Sequence, residues 1–181
     1  MVDVARVAQT PTAQKDCVIA LGPCARFSLR LSPAEAAKNA MSELKLNTAV
    51  NTMAGDSERM SVRLGPDEWL LVGPEAESER IAHETDSALR GFVYSLVDVG
   101  HRNVAFWVAG THAREVINGS CPLDLDDAAF PAGSATRTVL GKAEIVLIRP
   151  QAEYAYRIEC LRSFGPYVHA LLSELMQNEE P

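Results

Sequence analysis

The run LGPDEWLLVGP, from Leu64 to Pro74, leaves the chain little choice in how it folds locally. Ahead of it, Met60, Val62 and Leu64 alternate with Ser61, Arg63 and Gly65, the two-residue period of a strand with one apolar face. Gly65-Pro66-Asp67 then supplies turn chemistry, because proline presets φ at the first central position and Asp67 can hydrogen-bond its own backbone. The chain is therefore expected to reverse, with Trp69 to Val72 returning antiparallel. Those residues are apolar on both faces, which suits an inner strand covered from two sides.

The segments on either side fall into a repeated order. Residues 1–25 show no sustained period around the isolated run Val18-Ile19-Ala20-Leu21 and are read as an N-terminal arm, either unordered or laid on a partner. From Arg26, Phe27, Leu29 and Leu31 alternate with Ser28 and Arg30 as a first strand. Ser32-Pro33-Ala34-Glu35 has capping-box spacing with proline at the first helical position, and Ala37, Ala40, Met41 and Leu44 form the stripe of the helix it opens. Leu46 to Glu58 reads as a loop. After the hairpin, Pro74 opens a second helix whose first turn carries Glu75, Glu77 and Glu79, complementary to the positive helix N-terminus. Ile81, Thr85, Ala88 and Leu89 face inward, and Gly91 stands where a left-handed cap ends such a helix.

Phe92 to Val99 and Asn103 to Ala109 are two further strands around Gly100-His101-Arg102. A hairpin is the simplest connection, but the order of the elements after Ala109 favours the first strand closing one unit and the second opening another. Thr111 is expected to cap a short helix to about Asn118, stopped by Gly119. Thr136 to Leu140 and Ala143 to Ile148 form a hairpin through Gly141-Lys142, and Tyr154 to Leu161 is the last strand. The final helix, Ser163 to Met176, carries the stripe Tyr167, Val168, Leu171, Leu172 and Leu175. The expected fold is α+β: a single domain over 26–181 built from two fused split βαβ, ferredoxin-like halves, about 26–99 and 100–178.

Of the 181 residues, 47% are hydrophobic, enough for a substantial core. The chain has 17 basic against 24 acidic residues with no Lys/Arg cluster, which argues against nucleic-acid binding. No apolar run approaches the roughly 18 residues of a membrane span and no signal pattern opens the chain, so a cytoplasmic location is expected. Cys17, Cys24, Cys121 and Cys160 lack zinc-ligand spacing and read as reduced thiols, with Cys160 a small core residue.

Chemistry is sparse. No Gly-x-Gly-x-x-Gly or phosphate-loop sequence is present. Gly110-Thr111 reads as a plain helix start. Asp98, His101 and Arg102 form a polar cluster, but no nucleophile elbow accompanies them, and a turn that satisfies its own backbone is favoured over a hydrolase based on His101. His83, His112 and His169 read as surface residues on helices. No catalytic, cofactor-binding or metal-ligating residue is assigned. The segment Gly119 to Ser134, GSCPLDLDDAAFPAGS, is long for a connection and sets Leu123, Leu125 and Phe130 among acids. Two readings stay open: the apolar residues cover the protein's own core, or they anchor a subunit contact that Pro122 and Pro131 preorganise. Leu123, Leu125 and Phe130, with His101 and Arg102, are the candidate interface residues.

LGPDEWLLVGP, LVDVGHRNVAFWVAG, CPLDL, AFPAGSATRTVLGKAEIVL and YRIECLRSFGPYVHALL, in this order and spacing, resemble the gamma subunit family of heterotetrameric sarcosine oxidase. VDVGHRNVAFWVAG, with a helix and then PAG after it, is also similar, more distantly, to the folate-binding domain of the aminomethyltransferase (T-protein) family. The resemblance implies an accessory subunit with no cofactor of its own. Its implied partners are an alpha subunit with NAD and tetrahydrofolate, a beta subunit with FAD and substrate, FMN between those two, and a delta subunit carrying zinc. Such complexes demethylate sarcosine oxidatively to glycine, with formaldehyde or 5,10-methylenetetrahydrofolate and hydrogen peroxide as the other products. Where the family usually shows Ser before His-Arg, this chain has Gly100. The alternative that the resemblance implies is a stand-alone folate-binding module, and self-association of the isolated chain stays open.

Overall fold

The structure, a computed structural model, describes residues 16–32, 44–150 and 154–179. Of the helix expected from Ser32-Pro33 to Leu44, residues 33–43 lie outside them, and Leu44 is in a bend. The chain divides into two compact units, one of Pro23–His101 and one of Arg102 onward joined by the stretch up to Gly22. The fold is α+β, with one five-stranded antiparallel sheet in each unit.

In the first unit the strands are β2 (Cys24–Leu31), β3 (Thr52–Gly55), β4 (Met60–Gly65), β5 (Glu68–Pro74) and β6 (Tyr94–Asp98), in the order β3-β4-β5-β2-β6. The expected hairpin is present as β4 and β5, paired antiparallel from Met60 opposite Val72 to Gly65 opposite Glu68. A 3-10 turn, Glu75–Glu77, leads into helix α1, Ser78–Ala88. Phe27, Leu29, Leu31, Trp69 and Leu71 form the sheet's helix-side face, on which Ile81 and Leu89 are buried. Gly73 permits the close approach: a Cβ there would stand 2.5 Å from Ile81 Cδ1. Trp69 is fully buried, donates its indole N–H to the Asn47 carbonyl at 3.1 Å, and carries the Arg63 guanidinium 4.7 Å above its ring. The expected loop Leu46–Glu58 contains the short edge strand β3. Its residues do not alternate in burial and are joined to β4 by the backbone ladder, so hydrophobic period carried no trace of it.

In the second unit the strands are β1 (Cys17–Ala20), β7 (Asn103–Ala109), β8 (Ala135–Leu140), β9 (Ala143–Ile148) and β10 (Ala155–Leu161), in the order β1-β7-β10-β9-β8. Helix α2 is Ala113–Asn118, and a 3-10 turn at Arg162–Phe164 precedes helix α3, Gly165–Glu179. Phe106, Val108, Leu147, Tyr156 and Ile158 form a core with Val116 and Ile117 of α2 and Val168 and Leu172 of α3. Within the expected stripe of α3, Tyr167 is the exception. It is 37% exposed, and its hydroxyl accepts the Lys142 N–H at 3.2 Å in the β8–β9 turn. On the opposite face of β10, Arg157 and Glu159 form a buried pair, with Arg157 Nε and Nη2 donating to Glu159 Oε1 at 2.9 and 2.6 Å.

The two sheets are built alike. β2 corresponds to β7, β3 to β8, β4 to β9 and β5 to β10, and each of the last pair runs into a 3-10 turn and a helix. Setting aside the edge strands β3 and β8, the remaining four positions of each sheet have the split βαβ order. The position that β6 fills beside β2 is filled beside β7 by β1, from the N-terminal stretch. Thus β6 and β7 belong to different sheets and do not form a hairpin, as the element order predicted. The described part of the expected arm, residues 16–25, contains β1 and the first two residues of β2. The register of β1 runs from Cys17 opposite Ala109 to Ala20 opposite Phe106.

Candidate functional site

The long connection between α2 and β8 is shaped from within. Asp124 Oδ1 accepts the Asp126 N–H at 2.9 Å, and Asp126 Oδ1 accepts the Ala128 N–H at 3.0 Å. The Ala129 and Phe130 N–H groups donate to the Asp126 carbonyl at 3.0 and 2.8 Å, completing a turn. On either side of that turn the chain dips inward: Leu125 is 0% and Phe130 7% exposed, both in the core that α2 and α3 cover. Of the two readings of this segment, core cover accounts for the burial of these two side chains within the chain itself. An acidic loop with apolar residues is what core cover and an interface both look like in sequence, and the three-dimensional course of the loop turns these two inward. Leu123 packs against the same core but remains half-buried.

Two arginines bind the loop to the sheet and helix. Arg114, on α2, stands 3.4 Å from Asp126 Oδ2 and 3.5 Å from Asp127 Oδ1. Arg149, just after β9, donates to the Phe130 carbonyl at 2.8 Å through Nη1 and meets Asp127 Oδ1 at 2.7 Å through Nη2. Both cations lie over aromatic rings of the last strand and its approach, Arg114 over Tyr154 at 5.0 Å and Arg149 over Tyr156 at 5.7 Å. Burial raises the Tyr156 hydroxyl above the ordinary phenol pKa, and the Arg149 and Arg114 charges oppose it. Sequence reasoning missed this cluster. Its members are spread from Arg114 to Tyr156, and only the β9–β10 pairing brings Arg149 and Tyr156 together.

His101 and Arg102 are exposed, in the link between β6 and β7 and not in the Leu123–Leu125–Phe130 cluster. Asp98 turns its Oδ1 to the Gly100 N–H at 2.7 Å, so the chain here satisfies its own backbone. A Cβ on Gly100 would stand 3.1 Å from Asp98 Oδ1 and 3.2 Å from the Cys24 carbonyl, which makes a serine at this position a tight fit. Arg102 contributes its carbonyl to the Arg162 N–H at 2.9 Å. His83 and His169 are exposed on α1 and α3, whereas His112 is engaged by Asp16 at the start of α2. Thr111 is not the cap expected there, since His112 holds the N-cap position and the polar partner comes from the stretch before β1. Among the described residues no three or more His, Cys, Asp or Glu side chains cluster in a way that could hold a metal ion. No helix among them is long and apolar enough to cross a membrane, which says nothing of a β-barrel.

The fold defines the class first. A glycine cleavage system aminomethyltransferase T from Bartonella henselae superposes with a TM-score of 0.65 over 89% of this chain and 46% of its own, at 12% identity. The chain therefore has the aminomethyltransferase-like α+β fold and spans under half of that protein. A chain of the heterotetrameric sarcosine oxidase from Corynebacterium sp. U-96, solved in complex with pyrrole 2-carboxylate, matches more closely. The TM-score is 0.82 at 26% identity, covering 95% of this chain and 89% of that one. The model of the sarcosine oxidase, gamma subunit family matches residues 31–177, and the chain belongs to that family. No curated protein sequence matches it.

Proposed function

We propose that the chain is the non-catalytic gamma subunit of a cytoplasmic heterotetrameric sarcosine oxidase, assembled with alpha, beta and delta subunits. The observation that carries this reading is the family match over 31–177 together with a shared fold over 95% of the chain with a heterotetrameric sarcosine oxidase. The complex would demethylate sarcosine oxidatively to glycine, with formaldehyde or 5,10-methylenetetrahydrofolate and hydrogen peroxide as the other products. FAD, FMN, NAD, tetrahydrofolate and zinc belong to the partner subunits. This chain contributes a contact surface and a rigid frame. Its exposed His101 and Arg102 and the half-buried Leu123 are the residues offered to partners.

Copurification with untagged partners from the native host tests the assignment. The tagged chain is expected to bring down three further subunits and a flavin absorption band, and to be colourless and inactive towards sarcosine when purified alone. A chain that retains flavin by itself through gel filtration, or that returns without partners, overturns the reading.

A further inference from the structure

We infer that Trp107 Nε1 donates to a buried water molecule, held on the face of the second sheet opposite to the one that α2 and α3 cover. The chain has two tryptophans, and both are closed off from solvent, Trp69 at 0% and Trp107 at 1% exposure. Trp69 satisfies its indole N–H with the Asn47 carbonyl at 3.1 Å, whereas the buried indole N–H of Trp107 has no acceptor among the described residues. Leaving a buried donor open is costly, and in native proteins such donors are paired either with protein or with ordered water.

The surroundings select water as the acceptor. Trp107 packs with Ala109 and Ala155, both fully buried, and with the partly buried Cys17 and Leu21. None of these side chains carries an oxygen, and the alanines bring only a methyl group each. Arg157 stands directly opposite Trp107 in the β7–β10 ladder, and Glu159 stands opposite Ala105, so both project from the same face and Glu159 is the diagonal neighbour of the indole. A carboxylate offers about four acceptor positions, so Glu159, which takes two hydrogen bonds from Arg157 on Oε1, has capacity for a water proton as well. Arg157 and Glu159 are therefore the groups that supply the further hydrogen bonds a buried water needs. An acceptor larger than water would require an opening that a side chain at 1% exposure does not offer.

The test is a pair of water-selective NOE and ROE spectra on the isotopically labelled full chain. Trp107→Phe identifies the Trp107 indole signal, and Trp69→Phe identifies it by elimination if the first variant does not fold. A water that stays longer than the protein takes to tumble gives NOE and ROE cross-peaks of opposite sign, whereas proton exchange gives peaks of the same sign. Opposite signs are expected at the Trp107 indole N–H, with no water peak at that of Trp69. Absence of a water peak at Trp107, peaks of the same sign alone, or a through-bond coupling from its indole nitrogen to a protein carbonyl overturns the proposal.

Discussion

Asp16 and His112, 96 positions apart, are joined by two contacts: Asp16 Oδ1 accepts the His112 backbone N–H at 2.9 Å, and Asp16 Oδ2 lies 2.7 Å from His112 Nδ1. The first does for α2 what an N-cap side chain does for most helices, satisfying a donor that His112 itself leaves open. Because Asp16 immediately precedes β1, the same carboxylate also fixes the end of the strand that completes the second sheet.

This pair gives β1 an acid-sensitive anchor. The His112 backbone N–H, and after it the His112 ring, hold the Asp16 carboxyl below the usual aspartate range, against a smaller opposing effect of burial. A carboxyl whose folded pKa is lowered contributes stability that is complete above its ordinary value, about 3.9, and is lost as pH falls through the folded value. Amide exchange at Cys17 to Ala20, corrected for its intrinsic pH dependence, should therefore rise below about pH 4. In Asp16→Asn that rise should disappear. An unchanged pH response in the variant would show that Asp16 does not anchor the strand.

Gly110→Ala should disrupt the same junction. A Cβ at 110 would stand 2.1 Å from Asp16 Oδ1 and 2.4 Å from Asp16 Cα, with φ at +119°. Backbone strain and loss of the Asp16 contacts together predict a loss of about 2–4 kcal/mol in denaturant unfolding. Gly91, at φ +90° with nothing within 4 Å of an added Cβ, is the control, and its alanine variant should lose only about 1 kcal/mol. Equal losses at the two positions would remove Asp16 from the explanation.

Trp69→Ala should destabilise the first unit by about 3–5 kcal/mol, because it empties the centre of the β2–β5 face and leaves the Asn47 carbonyl without its indole donor. Trp69→Phe keeps most of the apolar volume and should cost less. Chemical denaturation decides, and a loss under about 1 kcal/mol for the alanine variant would contradict its burial.

The loop and the β6–β7 link should separate cleanly. Replacing Leu125 and Phe130 together with Ser should lower the unfolding midpoint strongly, with a cost of at least about 4 kcal/mol from two buried apolar side chains. Subunit assembly should suffer only in proportion to unfolding. His101→Ala with Arg102→Ala should do the reverse, changing stability by no more than about 0.5 kcal/mol while weakening assembly. Normal assembly of the His101/Arg102 variant would remove that link from the contact surface.

Local chemistry was enough for the sequence to determine most of the elements. Gly65-Pro66-Asp67 encodes its own reversal, the acidic first turn after Pro74 and Gly91 delimit α1, and the alternation in Tyr154–Leu161 marks a strand, because each depends on residues a few positions apart. The doubled split βαβ order came from the same signals. Three features were decided only by the tertiary structure. Strand β1 closes a sheet whose other members begin at Asn103, and a strand's pairing partner is not encoded in its own period. Leu125 and Phe130 turn inward because the loop is drawn onto the core and tied there by Arg114 and Arg149, whereas apolar residues among aspartates specify burial without saying against what. Asp16 caps a helix at His112, because a hydrogen bond between residues so far apart exists only once the intervening chain has folded and brought both ends to one place.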